Sequence, residues 1–307
     1  MGQIALRDYL NLITELVDEG RLDEAIAHCR NILEQFPRHL ETYQLLGRAL
    51  LDLEVYDDAI DAFKRVLSVD PEIAIIQAGI AIAYSEKDDV QKAISHMELA
   101  YDIDPSNQAI AAELSGLYLR RDGHAPAQID MSRAALARLY IRGSLYKQAA
   151  NEVAALISEQ PDRIDLQIML AETMYRDQKL KEAARLAIKI VDQLPLCLKA
   201  NAILAGVWTS TGRHDQALPH LMRVRSVMIP QVADLSEDTL VAEILYQIDQ
   251  KQVPKKVFLE ELDYVPVPGA GFGAKQKWDT TPEGNADDSQ GMTDWFQEYS
   301  QALDDDE

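Results

Sequence analysis

Apolar residues recur along most of the chain at the three- and four-residue spacing that gives a helix one buried face. Short breaks that contain Pro, Gly or Asp separate these periodic stretches. The pattern predicts helices joined by short turns from about residue 6 to about residue 250, with no sheet. From Val253 the periodicity is lost and Pro, Gly, Asp, Ser and Thr become frequent, which is typical of a segment without regular structure.

The helical pattern repeats every 34 residues. Pro37, Pro71 and Pro105 are spaced by 34, and an alanine stands twelve residues before each of them. The rhythm returns in the second half of the chain, where its last proline arrives one place late as Pro230. The recurring alanines are Ala25, Ala59, Ala93, Ala149, Ala183 and Ala217, and the other later prolines are Pro161 and Pro195.

A second small residue stands twelve places before the recurring alanine in five of the six units. Two small side chains that face each other let paired helices approach closely. The proline then ends the second helix, because it lacks an N–H and clashes with the preceding turn. In the first unit, Ile13 stands at the position that a small residue holds in the other units, which predicts a wider helix pair there. The five small residues are Gly47, Ala81, Ala137, Ala171 and Ala205.

The second unit carries the fullest pattern, with Tyr43, Leu46, Gly47, Leu50, Tyr56, Ala59, Phe63 and Pro71. This pattern resembles the tetratricopeptide repeat, whose signature is W-x2-L-G-x2-Y, then A-x3-F, then P. The resemblance implies an all-α fold, a right-handed superhelical solenoid of antiparallel helix pairs. It also implies that the chain binds other polypeptides. The units are 6–39, 40–73, 74–107, 130–163, 164–197 and 198–231.

The units form two predicted arrays of three repeats, 6–107 and 130–231. Between them, 108–129 is predicted as an orphan first helix and a loop, because the matching second helix is absent. A capping helix is predicted over 232–250, since a solenoid must cover its last apolar face. Residues 251–307 are predicted to be a largely disordered tail with two short docking segments.

Family resemblance places the peptide-binding groove on the concave face formed by the first helices. In this chain that face combines an apolar middle with arginines beyond it, which predicts an amphipathic, partly acidic peptide as the ligand. The face lacks the basic cradle with which some family members hold a chaperone's C-terminal carboxylate. The predicted groove residues are Arg48, Ile75, Ala78, Ile82, Ala112, Gly116, Leu119, Arg138, Arg142, Glu172, Tyr175 and Arg176.

Aromatic residues are unexpectedly frequent in the tail. Residues 251–307 hold seven of the chain's twenty aromatic side chains, although disordered segments usually contain few. Segment 254–268 is predicted to dock in the groove of its own chain, and segment 292–303 to reach another protein as an amphipathic helix. The predicted docking residues are Phe258, Leu259, Leu262 and Tyr264 in the first segment, and Trp295, Phe296 and Tyr299 in the second.

Charge and composition exclude several classes of partner. Fifty-one acidic residues against thirty basic ones give a net charge of −21, which repels nucleic acid and anionic membranes. The six histidines and the two cysteines, Cys29 and Cys197, show no metal-ligand spacing. We therefore expect no cofactor, no metal site and no catalytic residue. The start of the chain resembles a helix rather than a secretion signal, and together with the unpaired cysteines it predicts a cytoplasmic protein. A bacterial source is also expected.

Two hypotheses about function remain open from the sequence. The first is an adaptor or scaffold that binds peptide segments in its groove, with its own tail as a regulator. The second is a non-catalytic regulatory or assembly subunit of an enzyme complex, with catalysis on another chain. A catalytic role for the chain itself is the least favoured reading.

Overall fold

The computed structural model describes residues 3–126, 128–227 and 258–260, and within them the fold is built from antiparallel helix pairs. The predicted all-α class is confirmed. Within the described residues the helices are α1 Leu6–Asp18, α2 Leu22–Gln35, α3 Leu40–Asp52, α4 Tyr56–Leu67, α5 Ala74–Glu86, α6 Val90–Ile103, α7 Gln108–Asp122, α8 Arg133–Arg142, α9 Tyr146–Glu159, α10 Ile164–Arg176, α11 Leu180–Gln193, α12 Leu198–Ser210 and α13 His214–Val227.

Two short strands accompany the helices. Strand β1, Gln3–Ala5, immediately precedes α1 and pairs antiparallel with β2, Phe258–Glu260, so that Ile4 lies opposite Leu259. The backbone of residues 258–260, which belong to the tail segment 254–268, therefore lies beside the N-terminal strand. Pro230, the capping helix expected over 232–250, and the docking residues Leu262, Tyr264, Trp295, Phe296 and Tyr299 lie outside the described residues.

The turn inside each unit places a left-handed residue at the same position, the fifteenth of the unit. These residues have φ between 58° and 73°, and they follow the 34-residue spacing within each half of the chain. The orphan helix α7 departs from this rule, because its left-handed residue, Gly123, comes one place later and a loop follows it in place of a second helix. The six left-handed residues are Gly20, Glu54, Asp88, Ser144, Gln178 and Gly212.

Small residues lie where paired helices cross. Ala59 is fully buried, and the ring of Phe63, one turn further along α4, lies against Gly47 and Gly79. A Cβ atom built on Gly47 would come within 2.4 Å of the Phe63 ring, so no larger residue fits there without movement. In the first unit, where Ile13 replaces the small residue, α1 and α2 pack together less extensively than α3 and α4.

The second half of the chain turns back along the edge of the first half, so that the loops between units face each other. At one end Arg163 pairs with Asp102, at 2.9 Å. In the middle the backbone N–H of Leu198 donates to the carbonyl of Val69, at 2.9 Å. At the other end Arg38 donates to Ser226, which is 188 residues away in sequence. The unit that begins with α12 therefore lies beside the units at the start of the chain.

Candidate functional site

The first helices α5 and α7 form the apolar part of the predicted groove. Ala78 and Ile82 are buried within it, and Ile75 is half-buried. Along α7, by contrast, the predicted residues Ala112, Gly116 and Leu119 are all exposed, Leu119 by 50%. A Cβ atom on Gly116 would meet nothing within 4 Å, so a ligand can approach the backbone of α7 closely at this point. The open part of this surface is therefore the exposed row on α7.

A cavity of about 70 Å³ opens beside this row. Its apolar wall is formed by Ala81, Ile82, Met97 and Leu117, and its polar wall by Ser85, Glu86 and Glu113. Burial, and secondarily the negative charge of Glu86, raise the pKa of Glu113. A cation placed between the two carboxylates would relieve both effects, since it would neutralise charge that is partly removed from water.

Sequence reasoning missed the polar wall of the cavity. Ser85 and Glu86 occupy the twelfth and thirteenth places of the third unit, which are concave places in the family. The predicted groove residues stand at the second, fifth, ninth, twelfth or thirteenth places of their units, a choice of places that also includes Ser85 and Glu86. Glu113 has no such signal, because its position depends on how α7 packs against α5 and α6.

The basic part of the predicted groove is a cluster of ion pairs within the chain. Arg138 on α8 pairs with Glu72, from the loop that precedes α5. Lys199 on α12 pairs with Glu72 at 2.7 Å and with Glu172 at 2.8 Å. Arg176 pairs with Glu172 at 2.9 Å. We call Glu72, Arg138, Glu172, Arg176 and Lys199 the ionic clasp, because they join elements from both halves of the chain.

Glu72 is the centre of the ionic clasp. Burial alone would raise its pKa, but the opposing charges of Lys199 and Arg138 outweigh burial and lower the pKa to about 2. Burial likewise opposes the charge of Lys199, and Glu72 and Glu172 raise its pKa in spite of it. Glu72, Arg138 and Lys199 are therefore charged at neutral pH, and the two positive charges face carboxylates of the same chain.

The remaining predicted groove residues lie in three different environments. Arg48 is buried and donates to Asp18 at 2.7 Å. Tyr175 is half-buried, with its hydroxyl so close to Gly206 that a Cβ atom there would lie 2.5 Å away. Arg142 is exposed at the end of α8. The structure thus brings the α5–α7 residues together as one surface, whereas Arg48 and the residues of the ionic clasp are held in contacts of their own.

Three further properties of the described residues concern metal binding, thiol reactivity and membrane insertion. No group of three or more His, Cys, Asp or Glu side chains there could hold a metal ion. Cys29 and Cys197 are both buried, and burial raises the pKa of each thiol to about 12. Across the described helices, none combines the length and the apolar character needed to span a membrane.

Comparisons with known proteins point to one family. Two family models of the tetratricopeptide repeat match the chain, one over residues 16–81 and the other over residues 76–107. A TPR repeat-containing protein of Treponema pallidum (strain Nichols) is 23% identical over 217 residues, which are 70% of this chain and 26% of that protein. The chain thus spans about a quarter of the length of that relative.

Solved structures of two repeat proteins are similar over most of this chain. A tetratricopeptide repeat protein from Parabacteroides merdae is 16% identical, with a TM-score of 0.36, and the match covers 78% of this chain and 98% of the other. YrrB, a TPR protein with an unusual peptide-binding site, is 13% identical with a TM-score of 0.29, and the match covers 71% and 97%. The matched family models show that residues 16–107 are tetratricopeptide repeats, and similar helix pairs recur in the described residues up to Val227.

Proposed function

We propose that this chain is an adaptor or scaffold that binds a segment of another protein against α5 and α7. The tetratricopeptide repeat is a protein-interaction fold, in which stacked helix pairs present an extended concave surface. The observation that supports this location is the exposed row of Ala112, Gly116 and Leu119 beside an open cavity. A contiguous apolar patch that polar residues border is the kind of surface that a partner covers, and here Glu86 and Glu113 border the row.

The chemistry of the cavity favours a segment with an apolar side chain next to a lysine or an arginine. The aliphatic stem of a basic side chain fits the wall of Ile82 and Leu117, and its charged end fits between Glu86 and Glu113. The net charge of −21 adds long-range attraction for such a segment. A partly acidic peptide was expected from the arginines, but Arg138 and Arg176 are already paired with carboxylates of the chain.

Selection of peptides from a random library on the full chain, followed by affinity measurements, tests this proposal. We expect the selected peptides to be rich in Lys or Arg next to apolar residues, and to bind more weakly as salt rises. Leu119→Asp should weaken their binding by about tenfold or more, since it places a charge against an apolar contact. Ile188→Asp is the matched control, because Ile188 is 45% exposed on α11, which packs against α10 and α12.

Three results would contradict the proposal, the last two of which concern the charge of the peptides. One is equal loss of affinity for Leu119→Asp and Ile188→Asp, which would indicate a general effect of surface charge. The second is a set of selected peptides without basic residues, and the third is binding that Glu86→Gln and Glu113→Gln leave unaffected. Ile82→Asp is unsuitable as a probe, because Ile82 is only 6% exposed and its replacement would disturb folding.

A further inference from the structure

Helix α8 exposes a face that is buried in the corresponding helices of other units. First helices α3, α5, α10 and α12 each pack against the second helix of the preceding unit. Their tenth places are consequently closed to solvent, as at Ala49 and Val207, which are 0% and 4% exposed. The tenth place of the fourth unit is Leu139, and it is 41% exposed. Between α7 and α8 the described residues, 123–126 and 128–132, form a loop and no second helix.

The exposed face of α8 is apolar, as a surface that another element covers would be. In the first unit the seventh and tenth places hold Leu12 and Glu15. In the fourth unit the seventh and tenth places hold Leu136 and Leu139. Leu145, which follows α8 in the turn to α9, is also 45% exposed. The two units therefore differ at the tenth place, where the fourth unit has a leucine and the first unit has a carboxylate.

Basic side chains surround these leucines. Residues 131–151 contain four basic residues and no acidic one, although the whole chain carries a net charge of −21. Two of the four, Arg133 and Arg138, are paired with carboxylates of the chain. The other two, Arg142 and Lys147, are exposed on either side of Leu145. An apolar face with exposed cations beside it suits an acidic amphipathic helix.

We propose that residues 292–303 of this chain pack as a helix on the exposed face of α8, in the place of the absent second helix. Met292, Trp295, Phe296, Tyr299 and Leu303 would share one helical face. Residues 292–307 contain six acidic residues and no basic one, so the segment complements Arg142 and Lys147 in charge. This interaction is separate from the proposed ligand surface on α5 and α7.

Chain length and topology permit the contact within one molecule. Val227, at the end of α13, directly follows Ser226, which contacts Arg38 near the start of the chain. Strand β2 pairs with β1 at the start of the chain, and residues 261–291 lie between β2 and the segment, so an extended chain of that length spans on the order of 100 Å. The tail can therefore reach α8 from β2. A tethered segment of this kind acts at an effective concentration that a free one would not reach.

Cysteine labelling of the full chain tests the proposal. Leu139→Cys should react with a maleimide at least about tenfold more slowly than in a chain that also carries Trp295→Asp and Phe296→Asp, because docking of the tail must open before the thiol is reached. Ile188→Cys is the control, since its position is similarly exposed, and it should react at one rate with either tail. The native thiols of Cys29 and Cys197 are buried and contribute little background.

Each alternative outcome is informative. Rapid labelling of Leu139→Cys with both tails would overturn the proposal, because the face would then be open in the full chain. If the protection of Leu139→Cys from the maleimide increases with protein concentration, a second copy supplies the segment, which contradicts docking within one molecule. Equal slowing of Ile188→Cys would show that the tail acts on the whole surface and would equally refute a specific contact. None of these results depends on the α5–α7 surface.

Discussion

At the scale of single residues, small side chains set how closely the helices of each unit pair. Ala59 and Ala183 are both fully buried at equivalent places in the second and fifth units. Neither place has room for a longer side chain, because both alanines are 0% exposed and enclosed by neighbouring residues. Close packing of this kind transmits any added volume to both helices.

Ala59→Leu and Ala183→Leu should each lower the free energy of unfolding by roughly 1–3 kcal/mol, because each overpacks a close helix crossing. Urea unfolding of the full chain measures the effect. Ala154→Leu is the matched control, since Ala154 is exposed on α9, and its replacement should be nearly neutral. Unchanged stability of the two buried variants would mean that these alanines do not lie at helix crossings.

A buried histidine makes the stability of the chain depend on pH. His39 caps the N-terminus of α3, where its side chain accepts a hydrogen bond from the backbone N–H of Thr42. Burial lowers the pKa of His39 to about 4. The unfolded chain, with an ordinary histidine pKa near 6.5, therefore takes up this proton first as the pH falls.

We expect the contribution of His39 to be complete above about pH 6.5 and to be lost as the pH falls towards 4, with a total on the order of 2–3 kcal/mol. His39→Asn keeps a capping side chain but removes the titration. The difference in unfolding free energy between the wild type and this variant should shrink or change sign across that range. Asp52, whose pKa burial raises to about 6, is present in both proteins and cancels in the difference. A constant difference from pH 7 to pH 4 would argue against a neutral His39.

At the scale of elements, the ionic clasp joins helices that are far apart in sequence. Glu72 precedes α5 in the first half of the chain, and its partners lie on α8 and α12 in the second half. The side chain of Glu72 is only 5% exposed. Removal of one member of such a buried cluster leaves uncompensated charge, which costs more free energy than the pairing itself contributes.

Glu72→Gln should lower the free energy of unfolding by about 3–5 kcal/mol, because Arg138 and Lys199 would lose their shared carboxylate. Glu152→Gln is the matched control, since Glu152 pairs at 3.1 Å with Arg133, whose side chain is 46% exposed. That exposed pair should contribute less than about 1 kcal/mol. Similar losses of unfolding free energy for both variants in urea would show that the ionic clasp contributes no more to stability than an exposed ion pair.

Sequence spacing predicted the helix pairs well, because each pair depends on contacts within about 34 residues. The alanines at the crossings and the apolar residues of α5 are examples. The environment of Arg138 could not be predicted in this way, since Glu72 lies 66 residues earlier and meets it only because the chain turns back after α7. Tyr175 illustrates the same limit, because its contact with Gly206 joins two units.

At the scale of the whole molecule, the two halves differ in what they present to a partner. Around α5 and α7 the surface combines exposed apolar residues with the carboxylates Glu86 and Glu113. Around α8 it combines exposed leucines with Arg142 and Lys147. The two proposed interactions therefore use surfaces of opposite charge, an acidic one for a basic ligand and a basic one for an acidic helix. This separation by charge lets two segments bind without competing for one site.

Hydrogen exchange of the full chain, with and without a selected basic peptide, tests most directly where a ligand binds. We expect the peptide to slow exchange in α5 and α7, over Ala74–Glu86 and Gln108–Asp122, because these helices form the proposed surface. Slower exchange confined to the second helices α2, α4 and α6, or to α8 and α9, would contradict the account.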